Sequence, residues 1–313
     1  MNVVPAIIPT LTLSYMDTEN IRLYDLTDIK STSETFAEVK KIVSLVDPSF
    51  DSSLIENTFN DIILLFKGKF PGYRSSNTKY HNLEHTCAVT LATTRLIHGL
   101  HVQGQSFSAR VIQIGIIGAL FHDTGLIQTE EEIEGTGAQY TIGHEDRSKA
   151  LMEKYLSDKS FPPKDILDCS HIIMCTKLAL SLDDIPFNSD EIKTMGKILG
   201  SADLVAQMAD RNYLEKLPLL FLEFKEAGVE GFETPLEIFQ NTEDFYHSVA
   251  ITRLTQELSG VSYAALYHFR SRWKIDRDLY AESMKNNIRY MKKVTKDCED
   301  SYDCLIKKIR RND

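Results

Sequence analysis

The sequence is short of the features that would place it in several large classes. Its 313 residues include 5 cysteines, an odd count at irregular spacing (Cys87, Cys169, Cys175, Cys298 and Cys304), which suggests neither a disulfide framework nor a zinc knuckle. A reducing, cytoplasmic setting is the simplest home for such a chain. Positive charge is in deficit: 35 Lys plus Arg against 45 Asp plus Glu leaves a net charge of −10, which argues against a general nucleic-acid or anionic-membrane surface. It does not exclude a small phosphorylated ligand, because a metal ion can supply positive charge locally. Long apolar runs are missing as well. The stretch 3–13 comes nearest, but it is short, broken by Pro5 and Pro9, and has no basic leader, so neither a signal peptide nor a membrane span is expected. Hairpin signals are scarce and no internal repeat is evident.

What the chain does have is apolar residues, 42% of the total, enough for a sizeable core in one large domain or two modest ones. Their periodicity is helical almost throughout, and an all-α fold is expected. Helices are predicted over 34–46, over 54–66 behind Ser53, and from Leu83 to about Leu100 with Asn82 as N-cap. Ser108 caps 109–121, which is apolar nearly all round and belongs in the middle of a domain. Further helices follow from His144 to about Leu156, over 165–177, over 190–211 behind Ser189, and over 214–226 with a kink at Pro218. Thr234-Pro235-Leu236-Glu237 reads as a capping box with proline at the first helical position, opening a helix to about Leu258. Two more cover 261–273 and 276–295, and the Lys307-Lys308, Arg310-Arg311 tail reads as solvated. The expected division is an N-terminal arm and helix (1–53), a metal-binding core (54–226) and C-terminal helices packed on it (227–313). Those last helices could cover the site or form a homodimer interface.

The core is organised around Tyr80-His81-Asn82-Leu83-Glu84-His85-Thr86, which puts two histidines four apart at a helix start. Downstream come His122-Asp123 at the end of the apolar helix, then His144, His171 and Asp203. His85, His122, Asp123, His144, His171 and Asp203 together offer four imidazoles and two carboxylates. That is more than one tetrahedral ion needs and suits two divalent ions (Fe, Mn, Zn, Ni or Mg) with Asp123 bridging them. Such a pair can activate a water and neutralise a phosphoryl group. Each residue also has a plainer reading: His171, among Ile172, Ile173 and Met174, as a satisfied core histidine, His144 as a helix-opening residue, and Asp203 as a partner of Arg211. His98 and His101 read as surface residues, His247 and His268 as packed in the C-terminal helices. Lys79, Tyr140, Arg147 and Gln207 are candidates for substrate contact, Gln207 because it lies one turn after Asp203. The loop 135–141 could close as a lid over phosphate.

The order His, adjacent His-Asp, distant Asp resembles the HD-domain metal-dependent phosphohydrolase superfamily over roughly residues 55–215. The Tyr-His-Asn-x-x-His form at 80–85 is similar to the opening motif of class I cyclic-nucleotide phosphodiesterases. The resemblance implies a helical-bundle fold, with His85, His122, Asp123 and Asp203 as core metal ligands and His144 and His171 as the added histidines of dinuclear members. It implies that His81 protonates the leaving oxygen, while Asp123 serves catalysis through the metals. One position departs from the phosphodiesterase pattern: Leu126 stands where those enzymes carry a further histidine three residues after the Asp. The activity implied is hydrolysis of a small phosphodiester or nucleotide phosphate ester. Two alternatives use the same residues: a mixed-valent di-iron oxygenase, and a ligand-sensing protein without turnover.

Overall fold

The computed structural model describes residues 18–299 and 301–310, so the proline-broken stretch 3–13 lies outside it. Twelve α-helices with short 3-10 and π-helical turns make up the described residues, with no strand among them; two isolated bridges, Lys67 with Ser75 and Tyr73 with Thr129, tie loops together. The fold is all-α, as the periodicity predicts.

The middle of the molecule is built from α3 (Leu83–Val102), α4 (Ala109–Phe121) and α7 (Asp190–Met208). The reason is compositional. In α4, Ile112, Ile114, Ile116, Ile117, Leu120 and Phe121 are all at most 1% exposed, so beyond Gln113 the helix has no wet face. Each such side chain contributes roughly 1.5–3 kcal/mol on burial, and a charge at Ile116 would have nowhere to go. Helix α3 packs on α1 (Thr32–Val46), α4, α7 and α10 (Ala264–Trp273). Helix α2 (Ser53–Phe66) lies on α4, while α5 (His144–Asp158) and α6 (Pro163–Met174) flank α4 on its far side. Helices α8 (Tyr213–Ala227), α9 (Pro235–Asp244), α11 (Leu279–Cys298) and α12 (Tyr302–Ile309) complete the molecule, and one apolar core runs from Ile21 to Ile309. No described helix is long and apolar enough to cross a membrane.

The caps expected at Asn82, Ser108 and Ser189 are made: their side chains accept from the backbone N–H groups of His85, Val111 and Ile192. The capping box at Thr234 is not. Glu237 turns outward to the Thr234 hydroxyl (3.2 Å) and the Glu233 N–H (2.7 Å), leaving Pro235 to start α9. Nor does that helix run regularly to Leu258. After Asp244 the spiral widens into π-helical turns at Phe245–Ala250 and Arg253–Glu257, carrying the buried Arg253, whose guanidinium donates to the carbonyls of Leu180 (3.0 Å) and Lys177 (3.2 Å).

The basic tail is solvated at Lys307, Lys308 and Arg310, as expected, although it folds as α12 with Leu305 and Ile309 on one buried face. Three other expectations fail. Cys298 and Cys304 form a disulfide across the α11–α12 turn, a local pairing that an odd cysteine total conceals. His98 is buried, its Nδ1 3.1 Å from Nδ1 of His268, because Gly99 lets α10 close on α3: a Cβ at Gly99 would lie 1.9 Å from the Ala264 carbonyl oxygen. His247, expected to pack, is exposed.

Candidate metal centre

The site forms where the start of α3, the end of α4, the start of α5 and the middle of α7 meet. Asn82 caps α3 through the His85 N–H (3.0 Å) and so fixes His85 in the first turn. The apolar α4 ends at Phe121 and delivers His122 and Asp123, both buried. Asp203 comes from α7, where Gly200, Ser201 and Ala202 leave room for close packing. The start of α5 reaches the others because Gly125 has no side chain: a Cβ there would sit 2.1 Å from the His144 carbonyl oxygen. The close approach is tied by the Gly125 N–H to Ser148 Oγ (2.8 Å) and by Arg147 Nε to the Gly125 carbonyl (2.7 Å).

His85, His122 and Asp203 bring one donor atom each within 4.8 Å of one another and could hold a metal ion. The two imidazole Nε2 atoms are 3.3 Å apart, and His85 Nε2 is 3.2 Å from Asp203 Oδ1. Asp123 Oδ2 lies 3.3 Å from His85 Nε2 and 3.2 Å from His122 Nε2. Ligand atoms ~2.0–2.1 Å from a tetrahedral ion are about 3.3 Å from one another, so this spacing fits a first coordination shell. The tautomers fit too. His122 Nδ1–H donates to the Ala119 carbonyl and His144 Nδ1–H to the Thr141 carbonyl, each at 2.8 Å. A carbonyl can only accept, so both Nε2 atoms keep their lone pairs for the cluster. Asp123 Oδ2 is buried without a hydrogen-bond partner among the described residues, as a ligand oxygen would be.

Asp123 also faces the other way. Its Oδ1 is 3.3 Å from His144 Nε2, so one carboxylate joins His85 and His122 on one side to His144 on the other. The electrostatics follow from burial and charge. Burial opposes ionisation of Asp123, but the imidazoles of His122, His144 and His85 hold its carboxyl well below the usual carboxylate range. Burial would lower His85 and His144, yet Asp123 and Asp203 raise His85 to about 10, and Asp123, with Glu145, raises His144 to about 9. Protons therefore compensate the carboxylates wherever a cation does not.

His171 is not brought to this cluster. It shares a face of α6 with Asp168, three residues earlier, and that face turns toward Arg110 and Asn188, which bind the fully buried Asp168. The His171 ring packs edge-on against Phe187, with centroids 6.1 Å apart. Five of the six expected ligands converge, and the sixth lies outside.

Beside the cluster, His81 lines a cavity of about 520 Å³ that also takes in Asp123, His144 and Asp203. The His81 ring centroid is 5.9 Å from that of His85 and 6.0 Å from that of His144. Its Nδ1 is 2.7 Å from Oε2 of Glu223, whose other oxygen accepts from the backbone N–H groups of Lys79 (2.8 Å) and Tyr80 (2.7 Å). The sequence analysis missed Glu223. The signal was there: a carboxylate inside the apolar run Leu220-Phe221-Leu222-Glu223-Phe224.

Of the four substrate-contact candidates, Gln207 lines the cavity and accepts a hydrogen bond from Tyr80 Oη (3.0 Å). Lys79 is exposed and contributes its backbone to Glu223. Arg147 pairs with both oxygens of Glu132 at 3.0 Å and stacks on Tyr140, 3.7 Å from the ring centroid, so both serve the loop. The lid expected at 135–141 is pinned: Thr136 is bonded to Glu226, and the Gly137 N–H donates to Asn77 Oδ1 (2.8 Å). The far wall of the cavity is apolar and comes from α8, α9 and the π-helical turn, with Leu217, Leu220, Phe224, Ile238 and Phe245. Of the C-terminal helices, α9 and the π-helical turn after it thus cover one side of the site.

A family model described as Npun_R2479-like matches residues 128–267, a span that includes His144, Asp203 and Glu223 but not His81, His85, His122 or Asp123. No curated protein matches the chain.

Proposed function

We propose that this chain is a metal-dependent phosphohydrolase that cleaves a phosphodiester or a nucleotide phosphate ester. One observation carries the reading. His85, His122 and Asp203 could hold a metal ion, Asp123 places Oδ2 3.3 and 3.2 Å from the two imidazoles and Oδ1 3.3 Å from His144, and a carboxylate-held histidine lines one cavity with Asp123, His144 and Asp203. His85, His122, Asp123 and Asp203 would hold one ion, and Asp123 Oδ1 with His144 would contribute to a second. When bound, such ions lower the pKa of water and neutralise phosphoryl charge.

The chain's own residues supply the rest. Glu223 holds His81 through Nδ1, which leaves Nε2 to face the cavity, where it can give a proton to the departing alkoxide. The apolar wall takes the organic part of the ester and excludes water. Nearby cations are already engaged, Arg147 by Glu132 and Lys177 by Asp146 (2.6 Å), so neutralising a phosphoryl group falls to the metal.

The test is metal content together with hydrolysis of bis(4-nitrophenyl) phosphate. The expected result is bound metal with turnover in the natural chain and loss of both in Asp123→Ala. Full activity in that variant would sink the proposal. Two irons with a mixed-valent signal, oxygen consumption and no hydrolysis would replace it with the oxygenase, and metal loading without turnover on any ester would favour a sensor.

A further inference from the structure

A second cavity, of about 330 Å³, shares none of its lining residues with the cavity at the metal centre. Its wall includes Tyr24, Thr27, Lys30, Arg95, Arg211 and Tyr280. Arg95 is 2% exposed, yet no carboxylate pairs with it among the described residues. A guanidinium has five N–H donors. Here its two terminal nitrogens reach neutral hydroxyls, Tyr280 Oη at 3.1 Å and Thr27 Oγ1 at 3.2 Å, and its Nε is buried with no acceptor among the described residues. The neighbouring histidines do not offset the charge. Burial, together with Arg95 and other cations nearby, keeps His268 well below the usual imidazole range, and burial pushes His98 down to about 4.

A buried cation held by two hydroxyls and by the rings of Phe269 (5.6 Å to the centroid) and Tyr280 (5.8 Å), with no carboxylate against it among the described residues, is costly for a folded chain, and it calls for an anion. The mouth of the cavity carries more of the same sign. Arg211 lies over the Tyr24 ring, 4.7 Å from its centroid, and Lys30 is exposed. Two of the carboxylates in the wall are paired: Lys216 holds Glu84 at 2.9 Å and Asp210 at 2.5 Å, while Asp28 accepts from the backbone N–H of Lys30 at 3.0 Å and stays at the exposed rim.

From this geometry we infer that the cavity is a binding site for a small organic oxyanion, a carboxylate or a phosphate monoester, seated on Arg95 with Arg211 and Lys30 at its entrance and the rings of Tyr24 and Tyr280 beside it. The site is separate from the metal centre, and the inference stands whether or not the chain hydrolyses esters.

The experiment is isothermal titration of the full chain with inorganic phosphate, phenyl phosphate and succinate, with a chelator present so that the metal centre takes no part. At least one of the three should bind, with phosphate esters and the dicarboxylate separating the two sources of the anion. Arg211→Glu should weaken that binding at least tenfold, Lys30→Glu should weaken it in the same direction, and His122→Ala should leave it within twofold. Arg95→Lys keeps the charge but removes the fork, and should also lose most of the affinity; if it does not fold, the Arg211 and Lys30 variants decide. No binding of any probe up to 10 mM (about 10⁻² M, the weak end of small-ligand recognition) would overturn the inference. So would affinity unchanged by Arg211→Glu, or affinity lost in His122→Ala.

Discussion

At the level of single residues, the difference between His81 and its neighbours is one of partner. His85, His122 and His144 face carboxylates that face them back, whereas His81 is held through Nδ1 by Glu223, outside the cluster. A ring fixed this way keeps its orientation without being a ligand, and it has one nitrogen left for substrate. Glu223→Gln tests the assignment. Glutamine keeps an acceptor for the Lys79 and Tyr80 N–H groups, so fold and metal content should be preserved. Without the carboxylate the ring loses the charge-assisted hydrogen bond that orients it toward the leaving oxygen, and kcat on an aryl phosphodiester should fall by about 10–100-fold with KM little changed. Loss of metal in step with activity would show that Glu223 supports the cluster and not the proton donor. His81 and Glu223 also mark the limit of what one-dimensional pattern could reveal. His81 stood out because it lies four residues from His85. Its partner lies 142 residues away, and only the packing of α8 on the turn before α3 joins them.

The elements put these residues in place, and one of them depends on a close backbone approach. Gly125 lets the 124–126 turn approach the start of α5, so a methyl group there meets the His144 carbonyl oxygen at 2.1 Å and Arg147 Cβ at 2.7 Å. Backbone cannot yield as a flexible side chain can. Gly125→Ala should cost about 1–3 kcal/mol, seen as a lower thermal midpoint, and should weaken metal binding by moving His144 off Asp123. A stable Gly125→Ala chain with unaltered metal affinity would mean that this approach does not set the site. At the other end of the molecule, Asp278 caps α11 by accepting from the Ala281 N–H (3.0 Å), and burial lifts its carboxyl to about 6. The folded chain then holds a proton that the unfolded chain releases near ~3.9. Its contribution to stability is therefore fullest below pH 4 and is lost as pH rises through about 6. Asp278→Asn keeps a good N-cap and removes the charge. It should match the natural chain at pH 4 and exceed it by about 1–2 kcal/mol at pH 7.5, and equal midpoints at both pH values would refute the account.

At the scale of the whole molecule, fold class and eleven of the twelve described helices were legible because long amphipathic and all-apolar segments dominate the chain, α4 most clearly. What was not legible follows from contacts distant in sequence. The π-helical widening after Asp244, the α12 helix behind a basic tail and the burial of His98 all depend on neighbours that no local window contains. The same holds for His171. Its residue type and chain order suited a ligand, but the register of α6 commits that face to Asp168 and its partners.

The five converging residues, by contrast, tie α3, α4, α5 and α7 to one point, so an ion there would bind the folded state and not the unfolded one. Metal binding should then stabilise the entire chain and not one loop. At free metal near 1,000 times Kd the gain is about 4 kcal/mol, on the order of 5 °C in midpoint for a chain of this size. Adding a chelator should lower the midpoint of the natural chain and of His171→Ala by that amount, and leave His122→Ala unmoved. If His171→Ala became as insensitive to chelation as His122→Ala, His171 would have to reach the ion in solution, and α6 would have to sit in a different register from the one described here. If neither variant differed from the natural chain, the four helices would be held together by packing alone, and the cluster of imidazoles and carboxylates would owe its spacing to mutual charge pairing.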